Sequence, residues 1–254
     1  MEIICKNVSK SYLSGNRRLN VLDDINVEVE DGDFVCILGP NGCGKTTLFK
    51  ILAGIIKPTE GSVFYVGKYN HYLPISLIFQ EQGLFPWLNV IDNICFNLEM
   101  KGLTKKNRYA RAEKYIEKLG LANFLNYYPY QLSTGMKQKV SLIRGLITDS
   151  TTLLIDEACA SLDIYSKLII QEDIYRIWSE YNRTVLYITH DVEEALRVAK
   201  HIWIMGKCPG KIIRILDMEL YRSDNIKNGN DLYLNNIKNQ VIGILKQESR
   251  TIIL

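Results

Sequence analysis

Residues 37–54 read ILGPNGCGKTTLFKILAG, a glycine-rich turn with a Lys-Thr-Thr triplet directly ahead of a helical pattern. Gly39 is followed, after four residues, by Gly44-Lys45-Thr46, which is the spacing of a phosphate-binding loop. FVCIL before the loop predicts a buried strand, and TTLFKILAGII after it predicts a helix that stops at Gly54 and Pro58. A chance match is the alternative, but the strand–loop–helix context favours a nucleotide site.

The residue types in the loop suit a polyphosphate. Glycines let backbone N–H groups converge on one anion, because no Cβ blocks the approach and positive φ is allowed. The N-terminus of the following helix adds free donors and a partial positive charge. We expect Lys45 to place a charge on the β- and γ-phosphates and the Thr46 hydroxyl to bind Mg²⁺.

Length and composition are those of an ordinary globular chain. The 254 residues are 47% hydrophobic, and a net charge of +3 is too small to predict binding to nucleic acid or an anionic membrane. No apolar run approaches the ~18 residues of a membrane span, and the start MEIICKNVSK lacks a secretory signal. We therefore expect a cytosolic chain whose membrane contact comes through a partner.

The six cysteines are scattered and form no CxxC pair, so neither a metal site nor a structural disulfide is expected. Cys36 lies in an apolar strand and is interpreted as a small hydrophobe. Cys43 lies inside the phosphate loop, where we expect a thiol reagent to block the site.

The order of patterns predicts an α/β fold. INVEVEDG alternates like a strand with one solvated face, typical of antiparallel pairing, whereas TLLIDE and TVLYITH are continuously apolar and predict a parallel sheet. A charged helical block from about Val90 looks inserted into that sheet. We expect one domain over residues 1–254, with a catalytic core and β subdomain at 1–84 and 150–220. An inserted helical subdomain spans 85–149, and 221–254 form a tail in which an Asn-rich connection to Asn236 precedes a final helix.

Polar residues follow the apolar strands. Asp156 and Glu157 end one of them, where ligands bind in open α/β sheets, so Asp156 is predicted to hold Mg²⁺ and Glu157 to deprotonate an attacking water. A helix-capping acid pair is the alternative. His190 ends the next strand, within reach of a γ-phosphate, and Gln80 ends another, where its amide can bridge Mg²⁺ and water. A surface or core histidine and a polar loop residue are the alternatives.

LSTGMKQKVSLIRG predicts a helix that starts near Ser133. Ser133 and Gly135 make its N-terminus a second anion site, which lacks a lysine-bearing loop of its own and is expected to complete a site on another subunit. Simple N-capping by Ser133 is the alternative.

These motifs, in this order, resemble the nucleotide-binding subunit of an ABC transporter over nearly the whole chain. The resemblance rests on GPNGCGKTT, Gln80, LSTGM, LLIDE, the ASLD loop ending in Asp163, and His190. IFQEQGLFPWLNVIDNI and CPGKII are most similar to ATPases of the nitrate, sulfonate and taurine importers. The fold implied is an ABC cassette with a parallel-sheet core, an N-terminal antiparallel β subdomain and an inserted α-helical subdomain.

The resemblance implies an ATPase with ATP and Mg²⁺, in which two subunits sandwich two ATP molecules and Tyr12 stacks on adenine. It also implies separate permease subunits at the cytoplasmic face of the membrane, indirectly a solute-binding protein, and no nucleic acid. The nucleotide-binding residues implied are Tyr12, Gly39, Pro40, Asn41, Gly42, Cys43, Gly44, Lys45, Thr46, Thr47, Ser133, Gly135 and Asp163. Catalysis is assigned to Glu157, His190, Gln80 and Lys45, and metal binding to Thr46, Gln80 and Asp156.

Two positions depart from the family pattern: Thr134 replaces the first signature glycine, and Ala158 replaces the proline after the acid pair. Neither removes a donor, metal ligand or base, so hydrolysis is expected to survive, at a lower rate. A soluble ABC ATPase acting on nucleic acid or ribosomes and a small-molecule kinase are the competing functions. Phe85, Pro86 and Trp87 are either helical-subdomain core or an apolar groove that receives a short helix from a membrane partner.

Overall fold

The computed structural model describes residues 1–15, 17–67, 74–79, 83–157, 164–219 and 231–250. Three residues singled out above, Gln80, Ala158 and Asp163, lie outside these ranges. The strands are β1 Glu2–Ser14, β2 Arg17–Val29, β3 Phe34–Leu38, β4 Glu60–Val66, β5 Ile75–Ile78, β6 Thr152–Asp156, β7 Thr184–Ile188, β8 His201–Met205 and β9 Ile212–Asp217. The helices are α1 Lys45–Leu52, α2 Val90–Met100, α3 Lys105–Lys118, α4 Thr134–Leu146, α5 Ile164–Tyr181, α6 Val192–Val198 and α7 Asp231–Arg250, with 3₁₀ turns at Ala122–Phe124 and Pro129–Gln131.

Two sheets carry the fold. Six strands run in the order β5-β6-β7-β3-β8-β9, and all neighbours are parallel except β8 and β9. The second sheet, in the order β2-β1-β4, is antiparallel. The predicted parallel core and N-terminal antiparallel sheet are therefore confirmed, and helices α2, α3 and α4 follow one another between β5 and β6.

The central strands β3, β6 and β7 of the large sheet are buried on both faces, which explains their continuously apolar sequences. In β3, Phe34, Cys36 and Leu38 pack into a core with residues of the helices from α2 to α7. Val35 and Ile37 of the same strand pack into the other core, with α1 and the antiparallel sheet. The alternation thus places α1, which follows the phosphate loop, on the opposite face from α4.

The C-terminal helix is longer than predicted. It begins at Asp231, so the expectation of an irregular connection up to Asn236 is wrong for residues 231–236. Ile237 and Val241, four residues apart, are buried in the core beside α6, and this contact anchors the helix. Polar side chains are tolerated on the remaining face of such an amphipathic helix, which is why asparagine-rich composition was a poor guide here. In the part of the chain described, no helix is both long and apolar enough to cross a membrane.

Candidate functional site

The phosphate loop joins β3 to α1, and two of its glycines are required by close packing. A Cβ on Gly39 would lie 2.9 Å from the Met205 carbonyl oxygen, and one on Gly44 would lie 2.7 Å from Cδ2 of Leu22. Gly44 also has φ of 99° and is the N-cap of α1. Because this cap makes no side-chain hydrogen bond, the first-turn N–H groups of α1 are available to an anion.

Lys45, the first residue of α1, is 6% exposed. Its ammonium donates to the Gly39 carbonyl at 2.8 Å and to the Pro40 carbonyl at 3.0 Å, so the side chain folds back along the loop. This places its charge directly beside the backbone donors that the glycines expose. The loop can therefore neutralise the charge of a bound phosphate from two directions.

Asp156 ends β6 and is 2% exposed. Burial raises the pKa of its carboxyl group above the usual value, whereas a hydrogen bond from the Thr46 side chain acts in the opposite direction. A carboxylate and a hydroxyl are thus held in direct contact between the ends of two elements. These are hard oxygen donors, which suits them to hold Mg²⁺ together with phosphate oxygens and water.

Glu157 follows Asp156 in an uncommon backbone conformation, with φ of 48°. Its N–H donates to the Ile188 carbonyl at 3.2 Å, which fixes it to the end of the neighbouring strand β7. Its Oε1 atom lies 2.6 Å from Nε2 of His190, which follows the same strand. A non-glycine residue at positive φ costs energy and recurs at functional sites.

Lys45, Thr46, Glu157 and His190 open onto one cleft of about 540 Å³, and the buried Asp156 meets it through its hydrogen bond with Thr46. Because β6, β7 and β3 are adjacent in the sheet, their carboxyl ends bring the loop, the acid pair and the histidine together. The cleft is lined by Val21, Asn41, Gly42, Gly44, Lys45, Thr46, Thr47, Glu157 and His190. Val21 was not predicted, because nothing in an alternating strand marks the residue that will face the loop.

Other predicted residues lie away from this cleft. Tyr12 is on β1, is 41% exposed, and has the Lys10 ammonium 5.2 Å from its ring centre. Ser133 caps α4 by accepting the Met136 N–H at 3.3 Å, and Gly135 lies in the first turn. Ser133 is exposed, so its capping bond leaves the helix end accessible to a second molecule.

The segment from Phe85 to Trp87 divides between core and surface. Asn93, fully buried, accepts the Phe85 N–H at 2.8 Å and donates to the Phe85 and Leu88 carbonyls at 3.1 and 2.8 Å. The Phe85 ring centre lies 4.4 Å from that of Phe96, with the two rings tilted by 46°, whereas Trp87 is 70% exposed. The segment is therefore held rigidly while its tryptophan faces solvent.

The fold and the cleft define a phosphate-loop nucleotide-binding protein. Comparison with known proteins identifies the family within this class of nucleotide-binding proteins. Residues 22–160 match the profile of the family described as ABC transporter. An ABC transporter ATP-binding protein of Methanocaldococcus jannaschii is 36% identical, over 96% of this chain and 91% of its own length. The aliphatic sulfonates import ATP-binding protein of Bacillus cereus is 36% identical over 87% of each chain. Nitrate and taurine import ATP-binding proteins of Synechocystis sp. and Yersinia pestis are 35% identical over 87% and 78% of this chain, and 84% and 78% of their own.

A solved dimeric ATP-binding cassette, bound to ADP and Pi, superposes with a TM-score of 0.78 at 29% identity, over 85% of this chain and 98% of that one. The chain belongs to the ABC transporter family and has the fold of its ATP-binding cassettes. The resemblance to the nitrate, sulfonate and taurine group is likewise confirmed.

Proposed function

We propose that this chain binds and hydrolyses ATP to energise the import of a small solute by an ABC transporter. The observation that carries the proposal is one cleft lined by Lys45, Thr46 and the Glu157–His190 pair, with the buried Asp156 hydrogen-bonded to Thr46. The names of its relatives, import ATP-binding proteins for sulfonates, nitrate and taurine, support the direction of transport.

Each group in the cleft has a role in this reaction. The phosphate loop and Lys45 bind the polyphosphate and neutralise charge that develops in phosphoryl transfer. Glu157 accepts a proton from the attacking water, and His190, hydrogen-bonded to it, orients that carboxylate and reaches the γ-phosphate. Thr46 and Asp156 are the residues that would hold Mg²⁺, which would supply further charge stabilisation at the phosphate oxygens. From its position in the sequence motif alone, Gln80 is assigned to contact the metal and the attacking water.

A second copy of this chain completes the site. The exposed N-terminus of α4 offers Ser133 and Gly135 to a nucleotide outside the cleft of its own chain. The dimeric arrangement of the related cassette supports a two-subunit sandwich. Asp163 is assigned to the same two-subunit nucleotide sandwich, and Tyr12 is assigned to stack on the adenine.

Separate permease subunits are the partners that hydrolysis drives, and they hold the chain at the cytoplasmic face of the membrane. Trp87 is the anchor we assign to them, because a large exposed aromatic ring on a rigid segment loses little conformational entropy on binding. A solute-binding protein acts further away, through the permease. Neither nucleic acid nor a phosphate acceptor is needed to account for any group in the cleft.

The test combines phosphate release with ATP-dependent dimerisation for the parent protein and Glu157→Gln. The parent is expected to hydrolyse ATP, whereas the variant is expected to lose about 10²–10⁴-fold in kcat and to accumulate as an ATP-bound dimer. Glu180→Gln, an exposed substitution in α5, is the matched control and keeps parental activity. Full turnover by Glu157→Gln would remove Glu157 from the mechanism, and no hydrolysis by the parent would reject the proposed reaction for the isolated chain.

A further inference from the structure

A buried carboxylate lies behind the histidine loop. Glu194 of α6 is 1% exposed. Its Oε1 accepts hydrogen bonds from Nε2 of Gln171 at 2.5 Å and from the Tyr187 hydroxyl at 2.7 Å. Its Oε2 accepts one from the Thr189 hydroxyl at 2.5 Å and lies 3.7 Å from Nζ of Lys167. Donors from α5, β7 and the loop after β7 thus converge on one side chain.

This cluster fixes the chain on both sides of His190. The Thr189 hydroxyl that donates to Glu194 also accepts the backbone N–H of Asp191 at 3.1 Å. Asp191 in turn caps α6, accepting the N–H groups of Glu193 and Glu194 at 3.0 and 3.1 Å, and its other oxygen accepts from Lys167 at 2.9 Å. The residues before and after the histidine are therefore tied to the same buried group.

Burial of a carboxylate is expensive unless it is fully hydrogen-bonded, and an apolar side chain would fill this core at lower cost. Three hydrogen bonds and a nearby ammonium offset the cost, and they also make the arrangement geometrically specific. The ring of His190, whose side chain is 44% exposed, contacts Glu157 through its Nε2 atom. A rigid backbone on either side of residue 190 is what such a contact requires.

We propose that Thr189 and Glu194 are positioning residues, which hold the His190 ring against Glu157 in the geometry needed for hydrolysis. The inference rests on the proposed ATPase reaction for its kinetic consequence. Its structural consequence, the orientation of the His190 ring, depends only on the contacts described above.

The decisive variant is Thr189→Val, which keeps the shape of the side chain but removes the hydroxyl. Thr189→Ser is the rescue, because it restores the hydroxyl. Thr184→Val is the matched control. Thr184 is also buried, begins the strand β7 that Thr189 follows, about 16 Å away at ~3.3 Å per residue, and its hydroxyl accepts the Gly32 N–H at 3.0 Å. Tyr187→Phe removes one hydrogen-bond donor to Glu194 and is the alternative test variant if Thr189→Val fails to fold.

Two measurements are made on each variant. Steady-state kinetics separate kcat from KM for ATP, and ¹⁵N-histidine spectra report the ring of His190, one of only three histidines in the chain, assigned by its loss in His190→Gln. Thr189→Val is expected to lower kcat about tenfold with KM within about twofold of the parent, and to shift the His190 ring resonances. Thr189→Ser recovers most of the loss, and Tyr187→Phe shows a smaller effect of the same sign.

Thr184→Val is expected to lose stability without either effect, since its hydroxyl serves the other end of the strand. Parental kcat and unshifted His190 resonances in Thr189→Val would overturn the inference, as would an equal kcat loss in Thr184→Val. If the parent lacks ATPase activity, the proposed function fails, and the ring resonances alone still decide whether Thr189 positions the histidine.

Discussion

Gly210 and Cys43 lie in backbone contact: a Cβ on residue 210 would be 1.9 Å from the Cys43 carbonyl oxygen. Gly210 belongs to the loop between β8 and β9, where its N–H donates to the Val21 carbonyl at 2.8 Å and its own carbonyl accepts the Asp23 N–H at 3.0 Å. The phosphate loop is therefore supported from behind by this loop and by β2, and no side chain fits between them.

Gly210→Ala is expected to displace the phosphate loop, because a backbone oxygen cannot move aside as a flexible side chain would. We expect a destabilisation of about 1–3 kcal/mol in denaturant unfolding, together with weaker binding of a fluorescent ATP analogue. Gly243→Ala in α7 is the control, since a Cβ there meets nothing within 4 Å and should stabilise the helix by about 0.5–1 kcal/mol. Parental nucleotide affinity in Gly210→Ala would show that the contact is not needed to shape the site.

The same packing corrects the expectation that a thiol reagent would block the site through Cys43. The Cys43 side chain is 1% exposed, and burial raises the pKa of its thiol, so little reactive thiolate forms near neutral pH. We expect maleimide to label Cys208, which is exposed, while Cys43 reacts only after unfolding. Peptide mass spectrometry before and after urea treatment measures this. Equal labelling of both cysteines in the folded protein would mean that the loop opens readily.

The main site was predictable because its chemistry is concentrated in short motifs. Lys45 and His190 follow apolar strands and Asp156 ends one, and a parallel sheet brings such positions to one edge. Contacts between distant segments were not predictable. Val21 lines the cleft and Gly210 supports the phosphate loop because β2 and the β8–β9 loop pack against it. Nothing in the sequence around either residue predicts this packing.

The local backbone geometry and the burial of individual side chains could not be predicted from the sequence either. The positive φ of Glu157 follows from its hydrogen bond to the end of β7, a contact made 31 residues away in the chain. The polar cluster around Glu194 resembles an ordinary amphipathic helix in sequence, because a buried glutamate cannot be told from an exposed one by residue type. The contributions of Gln80 and Asp163 stay predictions from the motif alone.

Trp87→Ala is expected to weaken copurification with the permease subunits while it leaves the ATPase activity of the isolated chain intact. The ring is 70% exposed and lies 5.4 Å from that of Phe85, so its removal costs the fold little. Phe64→Ala on β4 is the control, because Phe64 is also exposed but lies on the antiparallel sheet. Undiminished copurification of Trp87→Ala would exclude this ring as an anchor, and an equal loss in Phe64→Ala would point to a general effect of lost surface.

Asp156→Asn is expected to stabilise the nucleotide-free protein while it abolishes Mg²⁺-dependent hydrolysis. Burial raises the folded-state pKa of Asp156, so the native state binds its proton more tightly than the unfolded state does, and stability is lost as pH rises through the window above 3.8. The neutral amide avoids this loss, and we expect a rise in Tm of about 2–4 °C near neutral pH that shrinks near pH 4. Asp149→Asn, at an exposed carboxylate paired with Arg111, is the control and should give no rise. A lower Tm for Asp156→Asn at neutral pH would show that ionised Asp156 stabilises the fold through Thr46 and the nearby lysines, contrary to this argument.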